Sequence, residues 1–299
     1  MTPIPAPGAA TLVGLYMILL AQVIVIHGFK HVVIVHGLDV NGNNNITSLD
    51  DLKHMIVKAH PGTNVTIPDL FTDAESLIVP LWSQLPKFRD AIEKVMATSG
   101  DGINLICYSQ GGILCRALLA NMTNHNVINF ISLSSPQLGQ FGDTSYVPFL
   151  PQLKEDVYKV CYTQTGQDHI SVCNYWNDPH HKKEYLAENV FLPVLNNETF
   201  NSQSKVWKDN FLKIKKLILI GGPDDGVITP WQSSHFGFYN ENEDVIEMHK
   251  QEVFLRDSFG LQTLYNRGAI KMYNISGVEH TKWHGNQTVF DCCIEPYLT

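Results

Sequence analysis

The stretch Leu105-Ile106-Cys107-Tyr108-Ser109-Gln110-Gly111-Gly112 constrains the fold more than any other part of the chain. An apolar run stops at a serine, Gln110 and two glycines follow, and a helix-favouring run from Ile113 to Ala120 comes next. This predicts a buried strand, a tight turn with a hydroxyl at its apex, and a helix. Such a turn cramps the serine backbone, so the residues two before and two after it must be small. Gly111 meets the second condition. Cys107 stands at the first position, small but a departure from the G-x-S-x-G pattern. Taken alone, a strand, a turn and a helix around a serine are common. A catalytic reading needs a base, an acid to orient it and donors for an oxyanion.

Taken in order, the chain offers strands and helices in alternation. Val23-Ile24-Val25-Ile26-His27-Gly28-Phe29 and Val32-Val33-Ile34-Val35-His36-Gly37-Leu38 are near-copies nine residues apart. The second is the better strand, because a polar, turn-rich segment follows it. Ser48 is placed to cap a helix over 49–59, with Asp50 and Asp51 in its first turn where carboxylates suit the helix dipole. Further strands are expected at 65–67, 103–107, 127–133, 216–220 and 269–275. Helices are expected at 81–96, with Pro86 near its start, at 113–120, over 251–267 with a break at Gly260, and from about 281 to the end. That alternation implies a mostly parallel central sheet with helices on both faces. From 137 to 212 the pattern gives way to Pro, Gly, Asn, Gln and Tyr. This segment reads as an inserted, part-helical cap pinned by Cys161 and Cys173, or else as surface elaboration without contact to substrate.

The partners that Ser109 needs lie after the later strands. Asp224 and Asp225 follow the strand at 216–220, and His280 follows the one at 269–275. The order Ser, Asp, His, each just past a strand's carboxyl end, is that of the α/β-hydrolases. Spacing alone does not separate Asp224 from Asp225, and His284, four residues beyond His280, is a rival base. His36, His180, His181 and His235 read as structural or surface histidines. The oxyanion donors would be the backbone N–H of Gln110, after the nucleophile, and of Leu38, after His36-Gly37. His36-Gly37 could equally be an ordinary strand-ending turn. No metal site and no cofactor is called for: the cysteines lack C-x-x-C spacing, and Ser109-Gln110-Gly111-Gly112 is not followed by the Lys-Ser/Thr of a phosphate loop.

The formal charge of −8, with no basic run, excludes nucleic acid as a partner. Hydrophobic content of 44% against 17% charged residues fits a well-buried globular chain. Thirteen histidines suit an acidic compartment. Residues 1–30 read as a signal peptide or leader. The apolar run from 11 to 26 is shorter than the roughly 20 residues that a membrane span requires, so no stable span is expected once the leader is removed. Six N-x-S/T sequons, at Asn45, Asn64, Asn121, Asn197, Asn274 and Asn286, point to glycosylation in the secretory pathway. Six cysteines are compatible with disulfides there. Residues 31–299 form the hydrolase domain, with the cap-like insertion at about 137–212.

On these residues the chain resembles the palmitoyl-protein thioesterases, most closely their second, lysosomal type. The matching segments are His36-Gly37-Leu38, His60-Pro61-Gly62-Thr63, Asp69-Leu70-Phe71, residues 107–112, 132–137, 174–181, 221–234, 236–239 and 255–261. Together they span about residues 32 to 299. The resemblance implies Ser109, Asp225 and His280 as the triad and the disulfides Cys107–Cys115 and Cys161–Cys173. It further implies release of long-chain fatty acid from acyl-CoA or another S-acyl thiol in the lysosome, with a long-chain acyl thioester as the partner. One departure stands out. The family would place a cysteine near 273 to pair with Cys293, but here the residue is Tyr273 and Cys292 is an added neighbour, so Cys292 and Cys293 lack an obvious partner, and an unpaired or a vicinal arrangement stays open. The competing expectations are a carboxylester lipase or esterase, and a non-catalytic lipid-binding protein on the same fold.

Overall fold

Four short apolar runs, at 31–35, 103–108, 127–133 and 216–221, are buried on both faces and make the centre of the molecule. The computed structural model describes residues 29–39, 45–148 and 150–298, with the backbone alone at 45–48. The proposed leader, the sequon side chain at Asn45 and the capping side chain of Ser48 therefore lie outside the described residues. Strands β1 (His31–Val35), β2 (Val65–Thr66), β3 (Ile103–Tyr108), β4 (Val127–Leu133), β5 (Lys216–Gly221) and β8 (Ile270–Asn274) form one sheet. Their order is β2-β1-β3-β4-β5-β8, and every pairing is parallel. Parallel strands require crossovers, and the crossovers cover both faces of the four inner strands, which is why those read as near-continuous apolar runs, while the edge strands β2 and β8 are partly exposed.

Side-chain alternation divides the core in two. Val33, Val35, Leu105, Cys107, Leu217 and Leu219 point to one face, where they meet α2 (Leu81–Ala97) and α3 (Gln110–Asn121) through Leu85, Phe88, Ile92, Ile113 and Leu114. Val32, Ile34, Ile106, Ile218 and Ile220 point to the other. There they meet α1 (Asn45–Ala59), through Leu49, Leu52 and Ile56, and the C-terminal residues Trp283, Phe290 and Ile294. Fully burying one such aliphatic side chain is worth about 1.5–3 kcal/mol, so these two layers hold the strand ends that carry the site.

The structure differs from the expected elements in four places. Helix α1 starts at Asn45, so Ser48 lies inside it rather than at its cap, and its first turn carries no acidic residue. No Gly or Pro separates Asn45 from Leu49, and each added residue gains a hydrogen bond, so the helix extends back to Asn45. The segment after 280 is a series of short turns and not one helix, because Gly285, the capping Asn286 and Pro296 interrupt it. The acidic segment before Leu81 holds a short helix, Glu75–Ile78, where a loop is expected, whereas the 251–267 region breaks at Gly260 (φ 98°) as expected, into Glu252–Leu255 and Leu261–Asn266. The antiparallel pair β6 (Phe238–Tyr239) and β7 (Val245–Ile246) is new. Each of its strands has two residues, too few to show a period of two.

Residues 137–212 fold into short helical turns and end in α4 (Ser204–Phe211), which packs on α3. Phe141, Trp176, Tyr185, Phe191 and Leu192 of this segment are buried and join the core on the α2/α3 face. Disulfides link Cys107 to Cys115 and Cys161 to Cys173. Cys292 is bonded to its neighbour Cys293, which settles the open pairing as the vicinal one and leaves no free cysteine among the described residues. No helix among the described residues is long and apolar enough to cross a membrane.

Candidate active site

The turn after β3 forces Ser109 into φ 54°, ψ −130°, a region that a non-glycine residue occupies only when its surroundings demand it. Its amide donates to the carbonyl of Leu133 at 3.0 Å, which anchors the turn to β4. The need for a small residue at 111 is concrete. A Cβ on Gly111 would come within 2.3 Å of the His36 carbonyl oxygen. Gly37 is packed just as closely on the serine itself, since a Cβ there would lie 2.5 Å from Ser109 Cβ and 3.0 Å from its Oγ. The 36–38 turn is therefore pressed against the hydroxyl. Cys107, at the irregular position, is fully buried and tied by its disulfide to Cys115 on α3.

Ser109 Oγ lies 2.9 Å from His280 Nε2, and His280 Nδ1 lies 3.0 and 2.9 Å from the two oxygens of Asp225. All three side chains are buried, each under a tenth exposed. The neighbouring candidates go elsewhere. Asp224 accepts from the Gly277 N–H at 2.7 Å, bracing the loop that carries the histidine. The His284 ring packs edge-on to Tyr108. Tyr108 stacks on His280 from beneath and donates its hydroxyl to the His280 carbonyl at 2.7 Å, while the His280 amide donates to the Asp225 carbonyl at 2.8 Å. Burial and the nearby Asp225 charge raise the Tyr108 phenol well above its usual pKa, so it stays protonated.

Asp225 is the most heavily bonded side chain of the site. Oδ1 accepts from the N–H groups of Val227 at 3.1 Å and Ile228 at 2.7 Å; Oδ2 accepts from Trp283 Nε1 at 2.6 Å and from the Ser134 hydroxyl. Burial pushes this carboxyl up, but the hydrogen bond and charge of His280, with the bonds from Ser134 and Ile228, together hold it below its ordinary value. Ser134 and Trp283 were missed from sequence. The signal for Ser134 was topological: β4 lies between β3 and β5, so its carboxyl end must abut both Ser109 and Asp225. Ser134 itself is held at φ 44°.

Around the expected oxyanion donors, two side chains act as brackets. The Gln110 side chain donates to the Ser76 carbonyl at 2.9 Å and accepts from Ser171 of the inserted segment at 2.8 Å. The Asp39 N–H donates to Ser76 Oγ at 2.9 Å, so the same serine also holds the turn that contains Leu38. His36 is buried in that turn and not at the surface. The remaining histidines lie apart from Ser109: His180 pairs with Glu243, His181 with Asp178, and buried His235 with the Tyr273 carbonyl. Among the described residues no group of three His, Cys, Asp or Glu side chains is arranged to hold a metal. Of the sequons, Asn64 and Asn274 are exposed, while Asn121, Asn197 and Asn286 are half-buried.

A wholly parallel sheet with a Ser-centred strand–turn–helix after β3, and an acid and a histidine after β5 and β8, defines the α/β-hydrolase fold. A crystal structure of the mature form of the Bacillus licheniformis lipase BlEst2 shares it, at 17% identity and TM-score 0.50 over 100% of this chain and 96% of that one. Within that fold the chain belongs to the palmitoyl protein thioesterase family, whose profile matches residues 31–280. It is 52% identical over 273 residues to the lysosomal thioesterase PPT2 of Rattus norvegicus, covering 91% of this chain and 88% of the relative. It is 41% identical over 271 residues to the PPT2 homolog of Drosophila melanogaster, covering 90% and 92%.

Proposed function

We propose that the chain is a lysosomal thioesterase that hydrolyses long-chain fatty acyl thioesters, acyl-CoA or S-acylated thiols, through an acyl-enzyme on Ser109. The observation that carries this reading is the unbroken relay Ser109 Oγ–His280 Nε2, His280 Nδ1–Asp225 in a buried site. A serine hydroxyl is a weak nucleophile until a base takes its proton. In this reading His280 accepts that proton as Oγ attacks the thioester carbonyl, and Asp225 steadies the imidazolium that forms. The N–H groups of Gln110 and Leu38 receive the oxyanion; the press of Gly37 on Ser109 supports the second donor. The thiolate leaves readily with little acid assistance. The departed thiolate takes up the imidazolium proton, which returns His280 to its neutral form; His280 then deprotonates a water that attacks the acyl-enzyme, and passes that proton to Ser109 Oγ as the fatty acid departs.

The insertion at about 137–212 is read as the cap over this site, supported by the Ser171–Gln110 bond. Entry to the secretory pathway through a leader at 1–30 is supported by the sequons and by the printed names of the relatives. The test is Ser109→Ala assayed on palmitoyl-CoA. Turnover should fall by about 10⁴-fold or more, with unchanged circular dichroism. Retained turnover would sink the assignment. Matched oxyester and thioester substrates separate the thioesterase from an esterase, and a protein that binds fatty acid without product release would be a carrier.

A further inference from the structure

His36 shares its turn with Leu38, and its ring is enclosed, 4% exposed. Its Nδ1 lies 2.7 Å from the carbonyl oxygen of Gly37, and its Nε2 lies 2.7 Å from that of Leu70. A carbonyl oxygen only accepts. An imidazole can satisfy two of them at once only with hydrogen on both nitrogens, as the cation. Remove one proton and a nitrogen lone pair faces an oxygen lone pair at that distance, so one side of the clamp opens. The Gly37 oxygen and the Leu38 N–H are opposite edges of one planar peptide unit, so whatever fixes the oxygen also fixes the direction of the N–H.

We infer that His36, carrying both ring protons, is a positioning residue for the oxyanion hole: it locks the Gly37–Leu38 peptide so that the Leu38 N–H faces the oxygen of the carbonyl attacked by Ser109. This rests on the roles given above to Ser109 and Leu38. Asp39 is buried in the same turn, and Asp69, Asp73 and Glu75 lie on the segment that carries Leu70. From α2, the Phe88 ring stands 6.1 Å away, and Lys87 is turned to Phe71, its ammonium 5.0 Å from that ring. Across the site, the His280 ring faces Ser109 with Nε2 2.9 Å from its Oγ. Ser76 completes the bracket, because it holds the Asp39 N–H and the Gln110 side chain together. Both proposed donors are thus tied to one rigid corner.

The consequence is a rate with two limbs. His280 must be unprotonated to act, so kcat rises with pH on the acid side. His36 must keep its second proton, so kcat falls on the alkaline side as the clamp opens. The experiment measures kcat and KM for palmitoyl-CoA between pH 4 and 8 in the parent, His36→Asn and His36→Gln. Loosening the hole, as opposed to deleting a donor, should lower kcat by about 10- to 100-fold. KM should stay within about twofold, because the oxyanion forms only in the transition state. The alkaline limb should vanish from both variants. Parent-like kcat, or an alkaline limb that survives in the variants, overturns the clamp. Should neither variant fold, ¹⁵N-histidine spectra of the parent decide: a buried ring with both nitrogens protonated at the working pH supports the clamp, and its absence refutes it. A fluorophosphonate that labels the parent but not Ser109→Ala keeps the two questions apart. Turnover retained in Ser109→Ala defeats the underlying reading, whereas a dead Ser109→Ala beside a fully active His36→Asn defeats only the clamp.

Discussion

Replacing Asp225 by Asn should separate the catalytic role of its charge from its role in stability. Both oxygens face donors, so the new NH₂ collides whichever way it turns. Placed at Oδ1, it meets the Val227 and Ile228 N–H groups at 3.1 and 2.7 Å. Placed at Oδ2, it meets Trp283 Nε1–H at 2.6 Å, while the Ser134 hydroxyl can rotate to accept. The second orientation costs less because it leaves a single unmatched donor. Two losses follow, the charge-assisted bond to Trp283 and the burial of its N–H without an acceptor, together about 2–4 kcal/mol, or roughly 5–10 °C in Tm for a chain of this size. In that orientation the amide also donates to His280 Nδ1, which drives the proton to Nε2 and leaves no lone pair for Ser109. A fall in kcat of about 10⁴-fold is expected, with KM little changed. The assay pairs palmitoyl-CoA hydrolysis with thermal unfolding of Asp225→Asn, Trp283→Phe and the double variant. Removing the Trp283 donor should restore much of the Tm lost in Asp225→Asn and none of its kcat. A single variant within tenfold of parent activity, or a double variant no more stable than Asp225→Asn, would refute the reasoning.

Other outcomes can be stated more briefly. Burial lowers His235 to about 4 from its usual 6.5, outweighing the backbone bonds that favour its charge. The unfolded chain therefore binds a proton that the folded one refuses between those values, and stability drops as pH falls through that window, by up to about 3 kcal/mol. Denaturant midpoints measured from pH 7 to 4 should show this, and His235→Gln should flatten the slope; an identical slope would exclude His235 as its source. Gly111→Ala should abolish activity and much of the soluble yield, since the neighbouring atom is the backbone oxygen of His36. Wild-type expression and turnover would show that the turn can relax. Converting Cys107 and Cys115 together to Ala should lower stability by about 2–3 kcal/mol, the entropy of so short a closed loop, while keeping turnover within about tenfold. Chemical unfolding reads the first effect, and a complete loss of activity in folded protein would show that the bridge itself shapes the turn.

The parts of this fold that could be read beforehand are those where one residue type answers to one physical demand. Strands such as 216–220 are buried on both faces and leave no choice but an apolar run. The turn at Ser109 needs a small residue at 111. The order of a serine, an acid and a histidine follows from strand ends that a parallel sheet must gather on one edge, whereas the choice of Asp225 over Asp224 and of His280 over His284 comes only from the family resemblance. What escaped depended on contacts between distant segments. Ser134 resembles any polar residue after a strand until β4 is known to sit between β3 and β5. Trp283 reads as core until its N–H is seen on Asp225. His36 carried a strand-end signal but no sign that Leu70, 34 residues later, would return to meet it. The start of α1 at Asn45 turned on helix propagation overriding a plausible cap at Ser48, a contest of less than about 2 kcal/mol.

Two buried groups give way to acid at different points of the pH scale, and the contrast bears on where this chain could work. Asp225 has its carboxyl held below the ordinary range, so its contribution to stability is present above the unfolded value of 3.8 and is lost only as pH falls through the lower, folded value. Its charge, the one that steadies the His280 imidazolium in the proposed mechanism, therefore survives acidification that would begin to neutralise an ordinary aspartate. The donors responsible come from three separate elements: Ser134 after β4, Ile228 after β5, and His280 after β8. His235, away from Ser109, costs stability earlier in the descent, between its usual 6.5 and about 4. In an acidic organelle the limit on the enzyme would be the global stability that His235 erodes, before the ionisation of Asp225 failed. Lowering the pH should accordingly bring unfolding before it brings a folded enzyme with a protonated Asp225. Tryptophan fluorescence and acyl-CoA turnover followed together below pH 5 would show the two falling in step; activity lost ahead of the fluorescence change, and independent of His280 protonation, would place the weak point at Asp225 instead.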